Sequence, residues 1–306
     1  MEDLRGKVAV VTGAGSGLGK AIATRLATEG TTVVIADNRL DAAEAAAKEI
    51  EHGGGSAIAV EVDVTKRSSI EALADRVDAE LGGAQILVNN AGVVSYSPVG
   101  EPVEEGWRWI VDVNLFGVLY GVQTFLPRMA AAGEPAHIVN VASLAGVVGG
   151  GGLQGNHLPE GDGSPALNNG MYGYMVTKHA VVALSESIAI DLAGTPIGVS
   201  VLCPSHHENT NIFENSAKYR PAEVGGPMSE QEQYLTFGRS GEQRTKALGR
   251  PAEAAQKFPD ECAGRVLRAI RERQFYVFTH PDTRPAVQHR FNGIMAGFDD
   301  AASYPG

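Results

Sequence analysis

The chain has little cysteine, no excess of basic residues and no long apolar run. Cys203 and Cys262 are the only cysteines among 306 residues, and they stand far apart in no spacing a metal would need. A disulfide-stapled scaffold and a cysteine metal module are therefore excluded, and both thiols read as reduced, in a cytoplasmic protein without a metal site. Basic residues are outnumbered 25 to 36 by acidic ones, giving a formal net charge of −11 and a pI near 5.2. Such a balance argues against nucleic acid or an anionic membrane surface as partner and reads as plain solubility. The first seven residues, Met1 to Lys7, lack the apolar region of a signal peptide. No stretch is expected to approach a membrane span, so the chain is expected to stay in the cytoplasm. There is no internal repeat.

Short apolar runs are present instead, separated by helix-like stretches. Val8–Val11, Thr32–Ala36, Ala57–Val60 with Val62, Ile86–Val88, His137–Val141 and Val199–Leu202 are apolar on both faces, as buried parallel strands are. A seventh strand is expected at Phe275–Thr279, after a helix over Pro259–Arg273. Helix-like stretches such as Asp41–Ile50 and Ser68–Leu81 lie between the runs. This alternation predicts an α/β fold with a doubly wound, Rossmann-type parallel sheet, formed by the whole chain, 1–306, as a single domain. Two segments break the rhythm. Residues 149–170, rich in Gly, Pro and Asn, read as a loop insertion, and 205–259 as an irregular substrate-loop or lid region with one or two short helices.

Thr12-Gly13-Ala14-Gly15-Ser16-Gly17-Leu18-Gly19 follows the first strand and opens a helix-like stretch. Glycines there let the backbone turn sharply and approach a pyrophosphate, while the helix N-terminus offers N–H groups to the phosphates. The spacing is Gly13-x-x-x-Gly17-x-Gly19 rather than the strict G-x-G-x-x-G. Asp37 ends the second strand, 18 residues after Gly19. A carboxylate at that place accepts hydrogen bonds from ribose hydroxyls and repels the extra phosphate of NADP. Arg39, two positions later, would soften that repulsion.

Tyr174 and Lys178 stand four apart, on one side of a helix one turn from each other. A free tyrosine titrates at about 10. A neighbouring ammonium, together with a positive nicotinamide ring, is expected to favour the phenolate and lower that value. Ser143 ends the fifth strand, where its hydroxyl can meet a substrate oxygen. Asn89-Asn90-Ala91-Gly92 ends the fourth. Asn114 lies inside the long helical stretch 104–132, where asparagine is a mediocre helix former. Its expected use is to open a backbone carbonyl to a proton-relaying water. The histidine pair His206 and His207 reads as loop or pocket wall, and His157 and His179 as structural.

In order and type these motifs resemble the short-chain dehydrogenase/reductase family over about Lys7–Leu202, and the glycine turn is that family's variant. The resemblance implies a catalytic tetrad of Asn114, Ser143, Tyr174 and Lys178. It implies cofactor contacts from Gly13, Ser16, Gly17, Leu18, Gly19, Asp37, Asp63, Val64, Asn90, Ala91, Gly92, Pro204 and Thr210, with Tyr174 and Lys178 also reaching the cofactor. Asp63 would bind the adenine and Thr210 the carboxamide. Two departures stand out: Ser143 and Tyr174 are 31 residues apart, a longer gap than most members show, and Cys203-Pro204-Ser205 replaces the usual Pro-Gly.

The implied activity is hydride transfer between a nicotinamide, NAD with NADP possible, and a secondary alcohol or ketone. Val93, Val94, Tyr96, Leu144 and Phe213, with Ser143 and Tyr174, are the expected substrate pocket. Their apolar and aromatic character favours a bulky hydrophobic or aromatic small-molecule substrate. Short stretches from Thr210 to Ala222 and at Phe278–Pro281 are similar to a bacterial branch that includes Cα-dehydrogenases of aryl alcohols. The alternatives are a steroid-type hydroxy dehydrogenase or a catalytically silent nucleotide sensor. The helical stretches 104–132 and 171–193 are expected to pair subunits into a homotetramer or homodimer.

Overall fold

The computed structural model describes residues 1–94, 104–148, 171–205, 212–228 and 252–303, without the side chains of 252–257 and 303. Seven strands form one all-parallel sheet: β1 (Val8–Thr12), β2 (Thr32–Asp37), β3 (Ser56–Glu61), β4 (Ile86–Asn89), β5 (Ala136–Val141), β6 (Ile197–Cys203) and β7 (Tyr276–Phe278). Their order is β3-β2-β1-β4-β5-β6-β7. The chain winds outward in both directions from β1, so the seam between β1 and β4 is the topological switch point. Val10 faces Val34 on one side and Leu87 on the other. These strands are apolar on both faces because helices cover both faces.

One face is covered by α1 (Gly17–Thr28), α2 (Leu40–His52) and α8 (Ala252–Glu272), through Ile22, Leu26, Ala43, Ala46, Val266 and Ile270. The other is covered by α3 (Arg67–Leu81), α5 (Gly117–Ala132) and α6 (Tyr172–Asp191), through Ile70, Leu73, Val77, Val122, Phe125 and Ile188. The expected strands are all present, within two residues of their expected ends.

Three expectations need correction, and a further helix is added as the fourth difference. Helix α8 begins at Ala252 and carries Pro259 in its interior rather than at its start. The stretch 104–132 is broken: α4 (Glu104–Val111) passes into a π-helical segment, Asp112–Phe116, before α5. That stretch, 29 residues at a mean hydropathy of 1.3, is also long and apolar enough to cross a membrane by length and composition. Half of its most apolar window is buried inside the molecule, with Val118, Val122, Phe125 and Met129 turned to the core. Fourth, a terminal helix not anticipated in the sequence, α9 (Arg284–Ser303), ends the described chain. Between β6 and α8, α7 (Ile212–Lys218) and a 3-10 turn at Ala222–Val224 supply the expected short helices. The 149–170 insertion lies outside the described residues, as do His157, His206 and His207.

Candidate active site

The glycine turn joins β1 to α1, and it lies so close to the end of β4 that side chains would not fit. A Cβ on Gly13 (φ +64°) would come within 2.8 Å of the Ala91 backbone, and one on Gly19 within 2.4 Å of Asn90 Nδ2 and the Gly13 carbonyl. Asn90 closes this seam. Its Nδ2 donates to Thr12 O (2.8 Å) and Gly13 O (3.2 Å), while Thr12 Oγ1 accepts from the Asn90 and Ala91 N–H groups. Asn89 points elsewhere and donates to Asn140 Oδ1 at 2.9 Å. Gly17 (φ +54°) turns the chain into α1, whose N-cap, Ser16, makes no side-chain cap bond. An uncapped helix N-terminus beside a cradle that a Cβ would fill fits a dinucleotide pyrophosphate.

At the end of β2, Asp37 is buried. One carboxylate oxygen accepts the Gly15 N–H at 2.9 Å, and the other accepts the Arg39 N–H at 3.1 Å and Nε at 3.4 Å. Arg39 also donates from Nη2 to Ser16 Oγ (3.3 Å) and lies 4.6 Å from the Tyr219 ring centre. Asn215, from α7, donates to the same Ser16 Oγ at 3.3 Å. Asp63 Oδ1 accepts from the Thr65 N–H and Oγ1, at 3.0 and 2.7 Å, and Oδ2 pairs with Lys66 at 3.0 Å. Burial raises its pKa, but these partners outweigh burial and hold the carboxyl below its ordinary range.

Ser143 leaves β5 as the N-cap of a 3-10 turn, Leu144–Gly146, and its Oγ accepts the Ala145 N–H at 3.1 Å. Gly146 packs directly on α6: a Cβ there would meet Lys178 O at 2.5 Å. This contact sets Ser143 against the first turns of α6, where Tyr174 and Lys178 stand. Lys178 is buried, and its Nζ donates to Val141 O at 2.8 Å and lies 5.6 Å from the Tyr174 ring centre. Burial brings its pKa down to about 8.

For Tyr174, the lowering expected from Lys178 together with a nicotinamide ring is not produced by the polypeptide alone. The Tyr174 pKa lies above the ordinary value because burial dominates, and the hydrogen bond with Ser143 draws it only partly back. Lys178, with its Nζ 5.6 Å from the ring centre, does not reverse this. Behind them the buried Cys203 thiol is pushed up to about 12.

Asn114 is fully buried in the π-helical segment. Its side chain holds the backbone of Val93 and donates to Thr177 Oγ1 at 3.3 Å. A π-helical turn displaces the regular carbonyl ladder and recurs at functional sites.

One cavity of about 900 Å³ runs along the carboxyl edge of the sheet. Of the expected cofactor contacts, Gly13, Ser16, Leu18, Gly19, Asp37, Asp63, Val64, Asn90, Ala91, Gly92, Tyr174, Lys178 and Pro204 line it, together with Ser143, Val93, Val94, Leu144 and Phe213 from the expected pocket. Gly17 shapes the turn and Asn114 stands behind the wall. Tyr96 and Thr210 lie outside the described residues. Sequence reasoning missed Trp109, Met171, Asn215, Ser216 and Tyr219, which also line the cavity. Ser216 Oγ accepts the Val94 N–H at 2.9 Å.

A family model described as short chain dehydrogenase matches residues 7–154. A Cα-dehydrogenase of Sphingobium sp. is 31% identical over 297 residues, covering 96% of this chain and 87% of that protein. A 1-deoxy-11-beta-hydroxypentalenate dehydrogenase of Streptomyces avermitilis is 30% identical, covering 95% and 91%. A short-chain dehydrogenase/reductase of Burkholderia phymatum, solved in complex with NAD, superposes with a TM-score of 0.80 at 33% identity and 97% coverage of both chains. With the glycine cradle and the Ser143, Tyr174 and Lys178 side chains on one cavity, these likenesses establish the chain as a member of the short-chain dehydrogenase/reductase family and a nicotinamide-dependent oxidoreductase of alcohols and ketones.

Proposed function

We propose that the chain interconverts a bulky hydrophobic or aromatic secondary alcohol and its ketone, with NAD preferred over NADP. The observation that carries this reading is that Ser143, Tyr174 and Lys178 open onto the cavity whose other end holds Asp37 and the glycine turn. Beside Tyr174 the wall is formed by Val94, Trp109, Leu144, Met171 and Phe213, which suit an apolar body better than a polyol. The Cα-dehydrogenase and hydroxypentalenate dehydrogenase relatives, by their names, point to the same class of substrate.

Gly13, Gly19, Asn90, Asp37 and Asp63 would hold the cofactor, with Pro204, Gly92 and Lys178 at its reactive end. A bound nicotinamide would supply the acceptor for the hydride of the carbinol carbon and, as NAD, a positive charge. Tyr174 Oη takes the hydroxyl proton in oxidation and returns it in reduction. Ser143 Oγ hydrogen-bonds the same oxygen and fixes it within reach. Lys178 holds the Val141 carbonyl and supplies local positive charge. Asn114 anchors the Val93 backbone and keeps the π-helical carbonyl open to a water relay. Positioning and prearranged charge supply most of the acceleration.

The chain works as one unit in the cytoplasm; much of the 205–259 region expected to cover the substrate, 206–211 and 229–251, lies outside the described residues. Phe116, at the end of the π-helical segment that leads into α5, is 37% exposed, and Val176 and Ile190 on α6 are 55% and 75% exposed, which supports a homo-oligomer paired through this stretch and α6. The test is a panel of secondary aryl alcohols, steroid alcohols and sugar alcohols with each cofactor. Aryl or polycyclic alcohols should turn over with NAD, and turnover confined to sugar alcohols would refute the substrate class.

A further inference from the structure

The terminal helix α9 packs on the fold at its inner end. Ala286 and Val287 pack on the cluster formed by Val147, Val148, Val181 and Val182, and Arg290 Nη1 donates to Val147 O at 3.1 Å. Every residue from Phe291 to Ala302 is exposed. On that arm Phe291, Ile294, Met295 and Phe298 are 47%, 45%, 59% and 66% exposed. Their spacing of three, four and seven residues puts them on one stripe of the helix. Gly293 and Gly297 interrupt the same stretch, and each costs about 1 kcal/mol of helix stability relative to alanine. An uncovered helical segment this short, with two glycines, is marginal in water. Something must cover the stripe.

The arm's own sequence identifies the occupant. About a midpoint between Ile294 and Met295 the stripe reads the same in both directions: aromatic, aliphatic, aliphatic, aromatic. An antiparallel pair of arms related by a two-fold axis would set each Phe291 against the partner subunit's Phe298 and each Ile294 against the partner subunit's Met295. Charge follows the same rule. The inner end carries Arg284 and Arg290 and the outer end Asp299 and Asp300. Antiparallel pairing sets the basic inner end of each arm alongside the acidic outer end of the other and opposes the two helix dipoles. Parallel pairing would stack like charges on like.

We propose that α9 is a dimerisation arm that pairs antiparallel with α9 of a second copy of this chain, forming an isologous interface separate from the exposed faces of α5 and α6. It owes nothing to the assignment of substrate or cofactor.

Cysteine cross-linking of the full chain tests it, since Cys203 and Cys262 are buried and silent. Met295→Cys lies beside the two-fold axis and should give a covalent dimer on mild oxidation. Phe291→Cys alone and Phe298→Cys alone should not, because each stands roughly 10 Å along the axis from its own copy at about 1.5 Å per residue. Co-expressed, the two should cross-link to one another. Ile294→Asp with Phe298→Glu should halve the mass in light scattering and leave NAD affinity within about twofold. Self-cross-linking at all three positions would indicate parallel arms and overturn the proposal. So would a monomeric parent chain, a mass unchanged by the two charges, or a position 295 shielded from thiol reagent without any covalent dimer, which would mean that the arm packs on its own chain.

Discussion

The side-chain amide of Asn114 pairs with the backbone of Val93 as a neighbouring strand would: Oδ1 accepts the Val93 N–H at 2.8 Å and Nδ2 donates to its carbonyl at 2.9 Å. The segment leaving β4 along the cavity thus takes its position from one buried residue in the π-helical segment. Asn114→Ala leaves the Val93 N–H and carbonyl without those partners, at about 1–3 kcal/mol for a buried unsatisfied group. Both stability in denaturant and kcat should fall. Asn114→Asp keeps the acceptor for the Val93 N–H but loses the donor, and should recover only part of the stability. An alanine variant with parental stability and turnover would show that the clamp does not position this wall.

Tyr174→Phe removes one hydroxyl from a helix whose packing on Gly146 is untouched. Turnover should fall by about 10²- to 10⁴-fold, the usual worth of a positioned acid–base group. NAD affinity, read by fluorescence titration, should stay within about tenfold. Activity within a few-fold of the parent would remove Tyr174 from the proton-transfer role.

The strands were legible because a parallel sheet covered on both faces needs apolar, β-branched runs such as Val8–Val11, and the glycine turn and Tyr174/Lys178 spacing are local. Other features depend on what sequence does not display. The π-helical segment at 112–116 is a change of hydrogen-bond pattern with no compositional mark beyond Asn114. The contact of Arg39 with Tyr219 joins residues far apart in the chain. Helix α9 escaped notice because Pro285, Gly293 and Gly297 blur its periodicity. The upward direction of the Tyr174 shift follows from burial of the side chain, which sequence does not display.

Lys178 makes stability depend on pH in a definite sense. Its pKa is about 8 in the folded chain and 10.5 as the ordinary value. Between these values the unfolded chain binds more protons than the folded one, so this group adds stability as pH rises from about 8 to 10.5. Below about 8 the lysine is protonated in both states and contributes no slope. Lys178→Met lacks the effect. The parent should therefore gain on the variant across that window, read as midpoints in urea at a series of pH values. A constant difference between the two would show that Lys178 is not desolvated in the folded chain.

The cofactor preference turns on Asp37 and Arg39. Asp37 presents a buried carboxylate whose oxygens are fixed by the Gly15 N–H and the Arg39 backbone and side chain. Ribose hydroxyls can donate to its remaining lone pairs, whereas a 2′-phosphate brings further negative charge to a carboxylate that cannot turn away. Loss of a hydrogen bond to a charged group costs about 1.5–3 kcal/mol, roughly ten- to a hundred-fold in binding. Arg39 is the opposing charge, yet its guanidinium is held by Asp37, by Ser16 Oγ and by the face of Tyr219. Swinging it to a phosphate would break those contacts, so it offsets only part of the repulsion. The ratio of kcat/KM for NAD over NADP should therefore favour NAD by about tenfold or more. Asp37→Ala should shrink that ratio by lowering the NAD value and raising the NADP value, and Arg39→Ala should widen it by weakening NADP. Equal use of both cofactors by the parent would overturn the preference, and an Asp37→Ala ratio equal to the parent's would show that the carboxylate does not read the ribose.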